Sequence, residues 1–190
     1  TENYNSEGNY HDYVDEHGVK QPAVKQSNGD FHHYKNGLEH NEDGVAESIR
    51  QEYGVNHAYY VNGQRHRLGG LPQFQYIPDT PRDDLSHWEE YHVGGLPHRD
   101  GDLPAIDFKR PVGSSEKSYY KYGIEHRDNG GISSIVDKLH SVVIHRKTYG
   151  QFNSPDNNTP AYELKTDSMD MKKHYKDDEL HRVYDLPAVT

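Results

Sequence analysis

The sequence predicts an all-β fold of about seven stacked, short antiparallel β-hairpin repeats, with at most one or two short helices. Three observations support this prediction. A histidine-containing motif recurs along the 190 residues, Asn-Gly turn signals lie between β-forming residues, and glycine and proline occur too often for long helices. Hydrophobic residues make up only 31% of the chain, yet its 16 tyrosines argue against disorder. A thin core spread along an elongated or solenoid-like sheet fits this composition.

The repeat is clearest in YYVNGQRHRLGGLP, residues 59–72, and four further stretches share its pattern. Counted from Tyr34, Tyr60, His92, Tyr120 and Tyr175, each has a histidine six residues later, at His40, His66, His98, His126 and His181. Six residues beyond each histidine lies proline or a substitute: Ala46, Pro72, Pro104, Ile132 and Pro187. Two degraded copies bring the total to seven units, which end near residues 24, 49, 74, 106, 135, 162 and 190. We therefore expect a single repeat domain over residues 1–190, with an insertion at 77–87.

An Asn-Gly pair favours a type I′ turn because both central positions require a positive φ. A turn at Asn62-Gly63 predicts the cross-strand pairs Val61–Gln64, Tyr60–Arg65 and Tyr59–His66. The same register gives every repeat histidine an aromatic or imidazole cross-strand partner. It places Tyr60 and Arg67 on the opposite face, where cation–π contacts are expected. Apolar residues after each Pro-Ala predict another strand, whereas residues 44–54 and 133–142 are compatible with short helices.

These units resemble those of MORN-like repeat proteins, with the pattern Tyr-Tyr-x-Asn-Gly-x-x-His-Arg-x-x-Gly-Pro-Ala. The resemblance rests on YYVNGQRHRLGGLP, YYKYGIEHRDNG and HRDGDLPAI and extends over nearly all seven units. Such units are common in bacterial antitoxin components and in proteins of large phages and other large DNA viruses. The resemblance implies stacked hairpins and a binding or structural role, and it brings no catalytic residue. MORN proper is richer in glycine, so its lipid-binding roles are not carried over.

Charge and composition exclude several classes of function. A formal net charge of −10 argues against non-specific nucleic-acid binding, which requires a basic surface. Cysteine is absent, so disulfides, thiolate metal sites and cysteine nucleophiles are excluded. No apolar run is long enough for a membrane span, and no signal peptide is visible. We expect the protein in a virion or in the cytoplasm of a bacterial host.

The 15 histidines raise the question of metal binding. The pairs His33–His40 and His174–His181 are each able to chelate one ion, but no His-Glu-x-x-His motif occurs. The alternative, which we favour, is that the repeat histidines hydrogen-bond the backbone of a neighbouring turn. Serine-nucleophile and phosphate-loop motifs are also absent. We therefore expect no metal, no cofactor and no catalytic residue.

The sequence thus predicts a non-enzymatic protein that binds other proteins. Candidate binding residues are Trp88, Tyr91, His92, Tyr60 and Arg67, because aromatic and arginine side chains dominate interface energies. Trp88 is alternatively a core anchor. The first version of the function is a phage or viral structural component (capsid decoration, tail or baseplate) that contacts capsid or tail proteins or its own copies. The second is a soluble intracellular binder, of antitoxin or immune-evasion type, that masks one partner.

Overall fold

A computed structural model describes residues 1–67, 70–80, 86–110, 113–128, 131–156 and 159–180. The chain forms two compact units, Thr1–Asp83 with His87–Leu96 and Asp84–Ser86 with Pro97–Thr190. Within the described ranges the fold is all-β, with short antiparallel strands and no α-helix. Accordingly, that part of the chain contains no helix of the length and apolar character needed to cross a membrane. The predicted fold class is confirmed.

Unit 1 combines an antiparallel sheet with small two-stranded hairpins. Its strands are β1 (Tyr13–Val14), β2 (Lys20–Gln21), β3 (Val24–Lys25), β4 (Phe31–His32), β5 (Tyr34–Lys35), β6 (Leu38–Glu39), β7 (Glu47–Gln51), β8 (Gly54–Ala58), β9 (Tyr60–Val61), β10 (Gln64–Arg65), β11 (Phe74–Pro78), β12 (His87–Glu90) and β13 (His92–Val93). The sheet order is β3-β4-β7-β8-β11-β12, and β1–β2, β5–β6 and β9–β10 are separate hairpins. The strand β14 (Leu96–Pro97) lies at the boundary of the two units.

Unit 2 repeats this organisation. Its strands are β15 (Ile106–Lys109), β16 (Ser114–Ser118), β17 (Tyr120–Lys121), β18 (Ile124–Glu125), β19 (Ser134–Lys138), β20 (Ser141–His145), β21 (Lys147–Thr148), β22 (Gln151–Phe152), β23 (Tyr162–Thr166), β24 (Asp170–Lys173), β25 (Tyr175–Lys176) and β26 (Glu179–Leu180). The sheet order is β15-β16-β19-β20-β23-β24, and β17–β18, β21–β22 and β25–β26 form hairpins. In both units the chain alternates between two sheet strands and one small hairpin.

The small hairpins have the register that the Asn-Gly turn predicts. Val61 pairs with Gln64 and Tyr60 with Arg65, and the His66 amide donates to the Tyr59 carbonyl at 3.0 Å. Asn62 and Gly63 have φ values of 51° and 77°, as a type I′ turn requires. Successive hairpins are joined by backbone hydrogen bonds, such as the one from the Gly63 amide to the Glu39 carbonyl, at 2.8 Å. Stacking of neighbouring copies is therefore part of the fold.

The core of each unit is built from small residues. Ala23, Ala46, Ala105, Ser133 and Ala161 are all 0% exposed and occupy equivalent positions immediately before a sheet strand. The sequence alignment placed Ala46 in the proline slot, and this assignment is wrong by one residue. The His33 amide donates to the Ala46 carbonyl, as the Tyr119 amide does to Ser133, so Val45 corresponds to the proline. In the repeat that contains Ala46, the loop between the histidine and the proline position is one residue shorter than in the other repeats. A fixed count of six residues from the histidine does not detect this difference.

The two helix-compatible segments are β-hairpins of the sheets. Residues 44–54 contain β7, which pairs with β8, and residues 133–142 contain β19, which pairs with β20. The pairs Ile135–Ile144 and Val136–Val143 show how β-branched residues match across the second hairpin. Neither hairpin has an Asn-Gly pair at its turn, so the position at which one strand ends and the next begins was not predicted from the sequence.

Candidate functional site

Three repeat histidines are buried and connect one hairpin to the next. The Nδ1 atoms of His40, His98 and His126 accept hydrogen bonds from the first turn residue of the following hairpin. These donors are the amides of Asn62, Tyr122 and Tyr149, at 3.1, 3.3 and 2.9 Å. The predicted role of these histidines, hydrogen bonding to the backbone of a neighbouring turn, is present in this geometry.

The second ring nitrogen of each of these histidines faces a carboxylate two residues later. Nε2 lies 3.3 Å from Glu42 in the case of His40, 3.2 Å from Asp100 in the case of His98, and 2.9 Å from Asp128 in the case of His126. Because Nδ1 accepts a backbone hydrogen bond, the proton of the neutral ring is placed on Nε2. His66, the histidine of the clearest copy, is instead exposed. His181 lies outside the described residues.

Two exposed tyrosines occupy the strained first position of the turn in unit 2. Tyr122 and Tyr149 have φ values of 50° and 51°, where the hairpins of unit 1 have Asn36 and Asn62. Their rings lie against the preceding repeat histidine, with centroid distances of 4.1 Å for His98–Tyr122 and 4.4 Å for His126–Tyr149. The tyrosines nevertheless remain 56% and 64% exposed. Neither tyrosine was among the residues predicted from the sequence, although Tyr-Gly in place of Asn-Gly was a visible signal.

The arginines that follow the repeat histidines support the loop. Arg67 and Arg127 donate through Nη1 to the carbonyls of Pro72 and Ile132, both at 3.1 Å. Their guanidinium groups lie 3.8 and 4.1 Å from the ring centroids of Tyr59 and Tyr119. The expected cation–π contacts therefore exist, but Arg67 uses Tyr59 rather than Tyr60.

The histidine rings find their partners in a different place from the expected one. The tyrosines that stack on His98 and His126 belong to the next hairpin. Tyr119, the cross-strand partner of His126, instead packs against the guanidinium group of Arg127. Backbone pairing was predicted correctly for His126, whose amide donates to the Tyr119 carbonyl at 3.0 Å. The ring contacts of the histidines were not predicted correctly. The turn tyrosines have positive φ, and this conformation directs their side chains back over the preceding hairpin.

The predicted binding residues around the insertion form a polar and aromatic network. Trp88 is half-buried against Phe74, with ring centroids 4.8 Å apart, and its Nε1 donates to Glu90 at 3.0 Å. Tyr91 is buried, and its hydroxyl donates to Glu89. Burial lowers the pKa of His92 to about 4, and the charge of Arg65 adds to this effect. These contacts show that Trp88, Tyr91 and His92 pack against neighbouring strands. Their role in binding a partner stays a prediction.

Tyr60 and Arg67, the remaining candidates, lie in β9 and just beyond the end of β10 in unit 1. Arg65 lies over the Tyr60 ring at 5.9 Å from its centroid. Arg67, His66 and Val61 line a groove of about 540 Å³ together with the loop at residues 41–45. His66 is exposed in this groove, whereas His40, His98 and His126 are buried.

A half-buried charge network surrounds Glu125 in unit 2. Glu125 accepts from Ser133 Oγ at 2.7 Å and from Lys147 Nζ at 3.0 Å, and His145 Nδ1 lies 3.5 Å away. Burial by itself would raise the pKa of Glu125, but the contacts with His145, Ser133 and Lys147 lower it to about 2. Ser133 is 0% exposed and donates to the carboxylate, so this group of residues lacks the accessible nucleophile of a serine hydrolase.

The equivalent place in unit 1 holds two carboxylates and one histidine. His32 Nδ1 lies 3.3 Å from Glu39 Oε1 and 3.8 Å from Glu47 Oε1. Burial raises the pKa of Glu47, and the neighbouring Glu39 raises it further. His33 and His40, the pair considered for chelation, have other partners: His33 contacts Asp12 at 2.8 Å and His40 the Asn62 amide.

The fold and these contacts define the protein as an all-β hairpin-repeat protein. No protein-family model matches the chain, and a search of curated proteins finds no significant match. The similarity to MORN-like repeats therefore remains a prediction based on the sequence motif.

Proposed function

We propose that this chain is a non-enzymatic protein-binding protein whose contact surface includes Tyr122 and Tyr149. The observation that carries the proposal is that both are exposed and both adopt positive φ. A left-handed conformation costs a residue other than glycine about 1–2 kcal/mol, and asparagine tolerates it better than tyrosine. A residue that is strained and yet largely exposed is a pointer to function.

The two tyrosines are suited to binding a protein. The Tyr122 amide donates to His98 and the Tyr149 amide to His126, and each ring rests on the same imidazole, so little conformational freedom remains to be lost on association. Ile124, which is 47% exposed, extends the apolar surface towards Gly150, in the turn that contains Tyr149. Exposed tyrosines held in one orientation supply large contact area with a polar tip, as in many interfaces.

A phage or viral particle is the first setting we propose, with the chain attached to capsid or tail proteins or to its own copies. Its support is compositional: the chain lacks cysteine and has 16 tyrosines and 17 glycines. The alternative is a soluble binder, of antitoxin or immune-evasion type, that masks a single partner. Mass spectrometry of purified particles distinguishes the two, because stoichiometric presence would exclude the soluble binder and absence would exclude the structural component.

Replacement of Tyr122 and Tyr149 by asparagine tests the contact surface. Asparagine fits the left-handed turn, as Asn36 and Asn62 show, so the double variant is expected to unfold at a similar urea concentration. Its affinity for the purified partner, identified with the wild-type chain, is expected to fall roughly 30-fold or more. The measurement is a binding titration.

The matched control is Tyr53→Asn, since Tyr53 is 68% exposed and lies in unit 1. This control is expected to bind as the wild type does. Full affinity in the double variant would remove the tyrosine surface from the proposal.

A further inference from the structure

We propose that His32, Glu39 and Glu47 form a binding site for a divalent transition-metal cation of the zinc type. The three residues come from β4, β6 and β7 of unit 1 and are half-buried. One ligand atom from each residue lies within 4.8 Å of those of the other two, and His32 Nδ1 is close to Oε1 of both glutamates. This site goes beyond the proposed protein binding and replaces the expectation of no metal site.

The distances suit a small metal ion. Zinc bonds to imidazole nitrogen and carboxylate oxygen are about 2.0–2.2 Å long, so two ligands at a tetrahedral angle are separated by roughly 3.4 Å. The observed separations from His32 Nδ1 are 3.3 Å to Glu39 and 3.8 Å to Glu47. Small side-chain rotations thus bring all three atoms into coordination, and a fourth position remains for water.

An independent observation comes from the equivalent position in unit 2. The carbonyls of Glu39 and Glu125 each accept a hydrogen bond from the glycine amide of the next turn, at 2.8 Å, which identifies the two glutamates as equivalent. Glu125 is neutralised by Lys147 Nζ at 3.0 Å, with His145 nearby. At the positions of Lys147 and His145, unit 1 has Tyr60 and Ala58.

A further carboxylate is present in unit 1. Glu47 directly follows Ala46, whereas Ser134 directly follows the equivalent Ser133. Unit 1 therefore has the carboxylate of Glu47 where unit 2 has the hydroxyl of Ser134. Unit 1 also has no lysine at the position of Lys147. A bound cation stabilises a half-buried pair of carboxylates. Burial removes part of the hydration of each anion, and the cation compensates for that loss.

The surrounding side chains leave this charge incompletely compensated. Arg65 attracts Glu47, but its guanidinium group is hydrogen-bonded to Glu90. Tyr34 and Tyr60 are neutral, and burial raises the pKa of both phenols, with contributions from Glu39 and Glu47. Imidazole with two carboxylates is a ligand set that zinc, manganese and ferrous iron all accept, so the class of ion is a divalent transition metal.

The test is calorimetric titration of zinc sulfate into the full-length chain after removal of metal by a chelator. We expect one saturable site, and a rise in melting temperature on addition of zinc. Cobalt substitution is expected to produce visible d–d absorption bands. Glu47→Gln is expected to weaken zinc binding roughly tenfold or more, a loss at least as large as that from changing the residues that orient a ligand.

The melting temperature of Glu47→Gln without metal shows whether weaker zinc binding comes from loss of a ligand or from unfolding of the chain. Without metal this variant is expected to melt at the wild-type temperature or slightly above it, because a repulsion between Glu39 and Glu47 is removed. The control for surface histidines is His140→Ala, since His140 is exposed beside Asp167, and it is expected to bind zinc as the wild type does. Unchanged zinc binding by Glu47→Gln, or no saturable site in the wild type, would overturn the proposal.

Discussion

Glu39 and Glu125 occupy the same position of the repeat in two different units, but their surroundings have opposite charge. The backbone hydrogen bond at each glutamate has the same length of 2.8 Å. Glu125 meets Lys147, His145 and Ser133, whereas Glu39 meets His32 and a second carboxylate, Glu47. The comparison teaches that the register of the hairpins is independent of which half-buried polar residues they carry.

The largest effect is expected from Glu125→Gln. Removal of one partner of a half-buried ion pair leaves Lys147 without its counter-charge, so we expect a loss of about 3 kcal/mol in the free energy of unfolding. Urea denaturation measures it. Glu39→Gln is the matched variant in unit 1 and is expected to cost less than about 1 kcal/mol, since Glu39 pairs with His32 and with none of the lysines in the described ranges. Equal costs would show that the two surroundings do not differ energetically.

A smaller effect, equal in the two units, is expected from changing the turn glycines. Gly63 and Gly150 have φ values of 77° and 80°, and Gly63→Val or Gly150→Val forces a β-branched residue into this region. We expect each variant to lose about 2 kcal/mol in thermal unfolding. Gly44→Val is the control, because Gly44 lacks a positive φ and has only the Asn41 side chain nearby. A wild-type melting temperature for Gly63→Val would contradict the hairpin register.

The pH dependence of stability gives the third and smallest contrast. The pKa of Glu125 is lowered to about 2, so its stabilisation is present above the ordinary value near 4.5 and is lost as the pH falls towards 2. The pKa of Glu47 is raised, so its contribution is present at acid pH and is lost as the pH rises through the raised pKa. Melting temperatures from pH 2 to 7 should show Glu125→Gln flattening the acid limb.

Glu47→Gln should instead give a higher melting temperature than the wild type only above the pKa of Glu47. Parallel profiles for the wild type and Glu47→Gln would show that Glu47 titrates normally and would remove this contrast between the units.

Much of the fold was predictable from sequence because the turn chemistry is local. Asn62-Gly63 sets a register by backbone conformation alone, and the Tyr60–Arg65 pair follows from it. The partners of the histidine rings were not predictable, because they come from the next hairpin and depend on how copies stack. The cluster of His32, Glu39 and Glu47 escaped detection for the same reason, since its members come from three strands and share no spacing motif. Trp88 was noticed because of its rarity, although its packing on Phe74 depends on the pairing of β11 with β12.

The hydrogen bond from each buried repeat histidine to the following turn has a direction along the chain. His98 holds the turn of Tyr122, and His126 holds the turn of Tyr149, but no bond of this type runs backwards between these copies in the described residues. Backbone bonds of the opposite sense join the same copies, since the Arg127 amide donates to the Lys147 carbonyl at 3.0 Å. Each copy is thus coupled to its nearest neighbours, as in a one-dimensional chain. A break at one histidine is therefore expected to speed amide exchange in both copies that it joins, before exchange rises in copies farther along the chain.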